Sequence, residues 1–505
     1  MLNTPFPIRV YSTLSSAILE MLLNDPQDLL YKAMERIRLA NFPFISHRFN
    51  STKLAKPSKS PHRTLFHEGH LEESANYTGA DKNRSIKRRA KEKIDQLTAP
   101  IEDGKPLSYR GETLQKAVEP RVLFFLNNSF PHTHSGYTVR TQNLLTALQR
   151  NGVKIHTATR LGYPLVVGKF PRSQIETVGQ LQYQRLIPSV YPQTLQAREQ
   201  ETISRLLQIA KDFKPTVLHT TTDYNNALAV SKVAQTLDIP WIYEVRGEPE
   251  STWLSRFPLD QRSSAEKSDF YRLAHAQETR AMKAASSLIC LSDVSKNALV
   301  KRGVDPQKIV VLPNAVDDSL LNIKYDQQTI RQELGLPDSL LIGTITSVVG
   351  YEGLDDLLRA TALLPRATCL IVGDGMARPD LERLAAELNL KNRVIFAGEQ
   401  PSRSIWKWYA ALDVFVLPRK DSKVTRVVTP IKPLIAQALG KPVVASDLPA
   451  IREVTGSVGC FVKPESPDQL ASAISKLGKS PQKRRTDIPT WNDNATTLIN
   501  NVYSR

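Results

Sequence analysis

Cysteine is scarce in this chain: Cys290, Cys369 and Cys460 are the three thiols in 505 residues, far apart and without a C-x-x-C pair. That spacing excludes a zinc ribbon and a disulfide frame, and because each lies in or beside an apolar run, they read as reduced core residues of a reducing compartment. No apolar run reaches the roughly 18 residues that cross a bilayer, and the N-terminus lacks the basic, apolar, small-residue order of a signal peptide. The expectation is a cytoplasmic chain that does not span a membrane. A G-x-x-x-x-G-K-[ST] loop is missing, which excludes a P-loop nucleotidase. Gly373 and Gly375 begin a dinucleotide-like fingerprint, but Arg378 takes the place of the third glycine and no ribose acid follows at the expected distance, so nicotinamide binding is set aside. Zinc-finger spacing, RNA-recognition signatures and basic-region heptads are absent, and nucleic acid is not an expected partner. His47, His62, His67 and His70 have no ligand spacing and read as bystanders, so no metal site is expected.

What the chain has is length and positive charge. At 505 residues it exceeds what one hydrophobic core usually serves, which implies two domains and an extension. Its 67 Lys+Arg against 50 Asp+Glu give a formal net charge of +17. Such an excess attracts polyanions, including nucleoside diphosphates and anionic lipid surfaces, without choosing among them.

Residues 1–120 differ in texture from the rest. Apolar residues from Ile18 to Leu23, then Leu29, Leu30, Met34 and Ile37, have helical spacing interrupted by Pro26, predicting two short amphipathic helices. A Pro/Ser/Lys-rich tract from Lys53 to Arg63 and the run from Lys82 to Lys93 read as a solvated linker, too poor in apolar residues to bury. Lys87, Arg88, Arg89, Lys91 and Lys93 have two readings, a contact with anionic lipid head groups or a plain solvated helix face.

From Arg121 strands and helices alternate. RVLFFLNN, VKIHTATR, TVLHTTTDY, PWIYEVRG, SSLICLS and KIVVLPNAVD are strand-like, and RVLFFLNN is apolar on both faces, as in a buried parallel sheet. After a polar hinge through Asp338 the pattern restarts with LLIGTITSVV, TCLIVGDG, NRVIFAGE, DVFVLPR, KPVVAS and GCFVKP. Strand–helix alternation at this pace implies two doubly wound α/β domains, and ligands of such sheets collect beyond the C-terminal strand ends. Those ends carry Gly136, Arg246, Ser347 to Gly353, Gly373, Gly375, Arg419 and Lys420. Arg246 follows a buried strand directly and needs solvent or a partner. Near Lys432 a loop bearing Thr429 and Pro430 enters a short helix, where backbone N–H groups and one cation converge; an ordinary loop-to-helix turn is the plainer reading.

The ordered motifs HSGYTVRT, TRLGYP, YEVRG, VLPNAVD, SVVGYEGLDDLLRA, LIVGDG, VFVLPRK, VTPIKPL and GKPVVASDLPAIREV resemble a bacterial retaining glycosyltransferase of family 4, of the surface-polysaccharide type with Y-E-G where many relatives have K-G. The resemblance implies two Rossmann-like domains facing a cleft (the GT-B fold): 121–320 holding the acceptor and 321–485 the donor, with 486–505 a C-terminal helix returning to the N-terminal domain and 1–120 a basic extension, part helical and part disordered. It implies a UDP- or GDP-linked nucleotide sugar as co-substrate and a glycan or lipid-linked acceptor. No other cofactor and no metal are implied, in keeping with the missing D-x-D pair. The implied location is cytoplasmic, peripheral on the inner face of the plasma membrane.

Carried onto this sequence, the resemblance implies that Arg419 and Lys432 face the donor diphosphate as catalytic cations with Arg246, which stands where a His is often found. Gly136, Ser347, Glu352, Gly353, Gly373, Gly375, Lys420, Thr429 and Pro430 would form the donor site, and Asn314 a structural turn. The family's E-x7-E pair is missing, since Arg426, Val427 and Ile435 occupy the corresponding places, and Ser347 and Glu352 replace the usual Arg and Lys of the G-R-…-K-G turn. An active enzyme with an altered donor loop and a degenerate GT-B scaffold in an assembly complex both remain open at this point.

Overall fold

The computed structural model describes residues 5–24, 60–80, 82–107, 119–401, 403–477 and 485–503. Leu29, Leu30, Met34, Ile37, His47 and most of the Lys53–Arg63 tract lie outside the described residues.

Among the described residues fourteen strands form two sheets. The first contains β1 (Arg121–Leu126), β2 (Lys154–Thr159), β3 (Ile175–Val178), β4 (Leu181–Arg185), β5 (Val217–Thr221), β6 (Trp241–Glu244), β7 (Ser287–Cys290) and β8 (Ile309–Val311), ordered β3-β4-β2-β1-β5-β6-β7-β8. Strand β1 is parallel to β2 and β5, with Val122 opposite Ile155 and Val217. Strands β3 and β4 pair antiparallel, with Ile175 opposite Gln184. The second sheet holds β9 (Leu340–Ile345), β10 (Ala367–Val372), β11 (Val394–Gly398), β12 (Val414–Leu417), β13 (Val443–Ser446) and β14 (Cys460–Val462), all parallel, ordered β11-β10-β9-β12-β13-β14.

The second sheet shows why these runs become strands. Ile342, Ile371, Val414, Val416 and Val444 point into one apolar cluster, and Leu341, Leu370, Val372, Phe415 and Leu417 into another. Alternate residues therefore bury on opposite faces, so each strand needs an apolar residue at every position. Two Rossmann-like α/β domains result. The described residues divide into two compact units: one from within Met1–His134, Lys154–Glu244 and Glu248–Leu288, the other from within Ser135–Val153, Val245–Gly247 and Ile289–Arg505. The helix Trp491–Leu498 belongs to the second unit and packs on the helix Gly136–Arg150.

The extension departs from its sequence reading. Arg84–Thr98 is a helix capped by the Asn83 side chain, and it buries Ile86, Ala90 and Leu97. It packs against the helices Leu71–Asn76, Leu195–Phe213 and Asp269–Ala284 of its own unit, so it is not a solvated linker. Few apolar residues suffice because they recur at helical spacing on one face. His62, read as a bystander, is fully buried: Nδ1 accepts from the Asn83 N–H at 3.0 Å, leaving Nε2 to donate to Ser74 O at 2.8 Å. The helix Phe6–Asn24 is continuous over Ile18–Leu23 and is tied down through Arg9 to Gln174 and Thr13 to Pro188 O. Among the described residues no helix is long and apolar enough to cross a membrane. Cys290 and Cys369 are buried free thiols, Cys460 is a half-buried one, and burial pushes the first two up, to about 11 and about 12.

Candidate functional site

Strands β9 and β12 are parallel neighbours, with Val414 opposite Ile342, so their C-terminal ends deliver side chains to one place. Beyond β9 the chain passes Thr346 and Ser347, makes a tight turn at Gly350–Glu352, and enters the helix Leu354–Ala362 through Gly353 at φ +70°. Beyond β12 comes Pro418-Arg419-Lys420. The two segments are pressed together: a Cβ on Gly353 would lie 1.8 Å from Pro418 O. That approach and the left-handed backbone both demand glycine.

The contact brings Glu352 under Arg419. Arg419 Nη2 donates to Glu352 Oε1 at 2.9 Å and its Nε to Oε2 at 3.3 Å, while Nη1 reaches Val428 O at 3.3 Å. Lys432, first residue of the helix Lys432–Ala438, donates to Glu352 Oε1 at 2.7 Å and to Thr346 Oγ1. One carboxylate, 2% exposed, thus holds two cations. Burial alone would push Glu352 up, but Lys432 and Arg419 outweigh it and hold the carboxyl down, to about 2. Burial, aided by Arg419, brings Lys432 down to about 8 against the pull of Glu352. At neutral pH the cluster carries a single net positive charge.

The other expected residues fall around this cluster in different roles. Lys420 pairs with Asp355 at 2.7 Å. Ser347 is exposed beside Thr346. Gly373 and Gly375 are packing glycines of the same strand ends, since Cβ atoms there would lie 1.9 Å from Thr346 O and 2.4 Å from Val348 O. Thr429 and Pro430 are buried; Thr429 O accepts from Asn314 Nδ2 at 2.9 Å, and Thr429 Oγ1 is buried without a hydrogen-bond partner. Gly136 starts the helix Gly136–Arg150, capped by Ser135, and a Cβ there would meet open space. Arg246 is buried and donates to Tyr137 O at 3.0 Å and Thr141 Oγ1 at 2.6 Å, so it anchors that helix start.

Two residues of this neighbourhood escaped sequence reading. Tyr137 stands between Arg246 and Arg419: burial pushes its hydroxyl up, and both guanidiniums pull it back. Arg140 is buried and clamps the Pro313-Asn314 turn, donating to Leu312 O and Pro313 O at 2.8 Å each and to Asn314 Oδ1 at 3.3 Å. The available signal was their place in HSGYTVRT, where an arginine on the inward face of the helix requires a built partner.

The departures from the resembled pattern also have locations. Arg426 pairs with Asp421 at 2.6 Å in solvent. Ile435 packs with the apolar cluster of Val316, Leu434 and Ala438. Among the described residues no three His, Cys, Asp or Glu side chains converge into a metal set.

Comparison with known proteins places this geometry. The description "Glycosyl transferase 4-like domain" matches residues 135–315 and "Glycosyl transferases group 1" matches 337–480. A D-inositol 3-phosphate glycosyltransferase of Thermomonospora curvata is 30% identical over 203 residues, 36% of this chain and 46% of that protein. The chain spans about half the length of the curated relatives it matches first, from 42% to 56%. Sucrose-phosphate synthase from Thermosynechococcus elongatus has a similar fold, with a TM-score of 0.60 at 20% identity over 76% of this chain and 98% of that one. So does Anabaena HepE in complex with UDP-glucose, with a TM-score of 0.51 at 19% identity over 76% and 95%. The two matched stretches together take up more than half of the chain, and the chain belongs to the GT-B glycosyltransferases, with a glycosyl transferase 4-like domain followed by a group 1 domain.

Proposed function

We propose that this chain transfers a sugar, with retention, from a UDP- or GDP-linked donor to a glycan or lipid-linked acceptor in surface polysaccharide synthesis. In this reading residues 121–320 bind the acceptor and 321–485 the donor, and the protein works in the cytoplasm at the inner face of the plasma membrane. The observation that carries it is the pair of buried cations, Arg419 and Lys432, at the C-terminal ends of β9 and β12. A sheet of this kind binds ligands at that edge, and two cations sharing one carboxylate keep charge in reserve for an incoming diphosphate. A fold relative of known structure holds UDP-glucose, which supports a nucleotide sugar here.

The chemistry follows from charge. As the bond from the anomeric carbon to the β-phosphate breaks, negative charge grows on the phosphate, and Arg419 and Lys432 stabilise it more in the transition state than in the ground state. The acceptor oxygen bonds to the anomeric carbon and its proton passes to a phosphate oxygen of the leaving group. Thr429, Pro430, Gly136 and Ser347 line the donor sugar in this reading. Lys420 and the glycines Gly353, Gly373 and Gly375 shape the floor, and Arg246 holds the helix start bearing Gly136.

A second reading has its own observation. Ile435 stands in apolar packing where the resembled pattern puts a ribose carboxylate, at a cost of about 1.5–3 kcal/mol in donor affinity if nothing replaces that hydrogen bond. The rival is a GT-B protein without catalysis that serves as a scaffold in an assembly complex. A thermal-shift panel of nucleotides and nucleotide sugars separates them, because a ligand raises stability by RT ln(1 + [L]/Kd). The enzyme reading expects a UDP or GDP sugar to raise Tm and release nucleoside diphosphate, with both effects lost in Arg419→Ala and Lys432→Ala. A flat panel leaves the scaffold, whereas unchanged turnover in both variants removes Arg419 and Lys432 from the donor site.

A further inference from the structure

Far along the chain from the cations at β9 and β12, the first unit contains a cavity of about 360 Å³. More than half of its lining residues come from the extension, ahead of residue 135 where the glycosyl transferase 4-like domain begins.

The wall combines aromatic rings with basic side chains. Trp253 and Phe270 lie 4.7 Å apart between ring centroids, Phe257 stands edge-on to Trp253 at 4.7 Å, and Arg89 covers the Phe66 ring at 5.4 Å. These rings already stack on one another or carry a cation, so they offer an apolar surface rather than an open face for a nucleobase. Four basic side chains, Arg88, Arg89, Lys93 and Arg198, also line the cavity, against the single carboxylate of Glu92.

That carboxylate is already engaged, by Arg88 at 3.6 Å and the Leu195 N–H at 3.5 Å. Gln193 is the lone side-chain amide of the wall, too little to read the hydroxyls of a sugar. Lys93 is held in place by Gln96 Oε1 at 3.0 Å and by the Tyr224 hydroxyl, with its ammonium 5.8 Å from the Phe270 ring centre. It therefore stands beside the aromatic part of the wall, and burial draws it down to about 8, against the nearby Asp223.

We propose that this cavity binds a phosphate monoester of an apolar alcohol, its phosphate on Arg88, Arg89, Lys93 and Arg198 and its hydrocarbon against Trp253 and Phe270. Guanidinium forks suit a tetrahedral oxyanion, and the aromatic wall excludes water from the tail.

The test is isothermal calorimetry on the full chain with n-octyl phosphate below its micelle concentration, beside octanol, inorganic phosphate and uridine monophosphate, with Trp253 fluorescence to locate the event. Saturable binding of octyl phosphate is expected, with octanol, inorganic phosphate and uridine monophosphate each at least about tenfold weaker. Lys93→Met should weaken it by about tenfold or more, as for a lost hydrogen bond to a charged group. Arg89→Gln, on the half-buried rim, gives the same readout should Lys93→Met fail to fold. Trp253→Phe should keep the heat and lose the fluorescence response. Octanol or uridine monophosphate binding as well as octyl phosphate overturns the assignment, as does binding indifferent to both cation variants. Response to phosphatidate vesicles without response to octyl phosphate also overturns it, in favour of a basic surface that meets membranes.

Discussion

Glu352 holds Arg419 and Lys432 with one buried carboxylate, and that arrangement makes opposite demands on stability and on binding. Glu352→Gln leaves two buried cations facing each other, which should cost about 3–5 kcal/mol in urea unfolding. The same change removes the anion that a diphosphate must compete with, so in the presence of excess UDP or GDP much of the loss should return. Equal destabilisation with and without nucleotide sinks the idea that these cations receive phosphate. Lys432 provides a pH signature. Brought down to about 8, its amine is charged at neutral pH and loses charge as pH rises through that value. Donor KM should therefore climb above about pH 8, and Lys432→Arg, which stays charged, should flatten the profile. A flat wild-type profile would remove Lys432 from the diphosphate site.

At the scale of elements, the loop between β9 and the helix Leu354–Ala362 is held by Gly353, whose Cβ position is occupied by Pro418 O. Gly353→Ala should cost more than about 1 kcal/mol for the left-handed backbone alone and should displace Pro418-Arg419. Lost donor use with a far-ultraviolet spectrum unchanged is the expected pair of results, and wild-type turnover would show the approach to be dispensable. This is also where the sequence was most legible. RVLFFL, LLIGTI and DVFVL are nearly continuous apolar runs because both faces are covered, and that signal is strong in a single chain. The β3–β4 hairpin went unread because IETV and LQYQR alternate buried and exposed residues, a pattern diluted by Glu176, Gln182 and Gln184. Helix Arg84–Thr98 looked like a charged linker because its apolar face has few members. Within the site, the cations were legible from type and position, but their shared partner was not. Glu352 stands where the resembled pattern has a lysine, and only the fold reveals that it meets Lys432, eighty residues later.

Over the whole molecule, buried ionisable groups give stability an unusual dependence on pH. Glu278 is fully buried, accepting from the Tyr224 N–H and the Tyr243 hydroxyl at 2.7 Å each. Burial first, then Glu250 and Asp223, push it up to about 8. The folded chain therefore binds a proton that the unfolded chain has lost, so the contribution of Glu278 is complete below about 4.5 and falls away as pH rises through about 8. The slope is at most about 1.4 kcal/mol per pH unit. Lys93, Lys432 and Lys441 have the opposite effect: burial brings all three down to about 8, so between there and 10.5 the unfolded chain binds more protons and stability rises with pH. The two trends meet near pH 8, where these groups together place a minimum. Urea unfolding followed from about pH 6 to pH 9.5 should show the dip, and Glu278→Gln should remove its descending side while leaving the ascent. A wild-type curve that climbs steadily through this range, or a Glu278→Gln curve parallel to it, would mean that Glu278 is ionised in the folded chain, its charge held by the Tyr224 N–H and the Tyr243 hydroxyl.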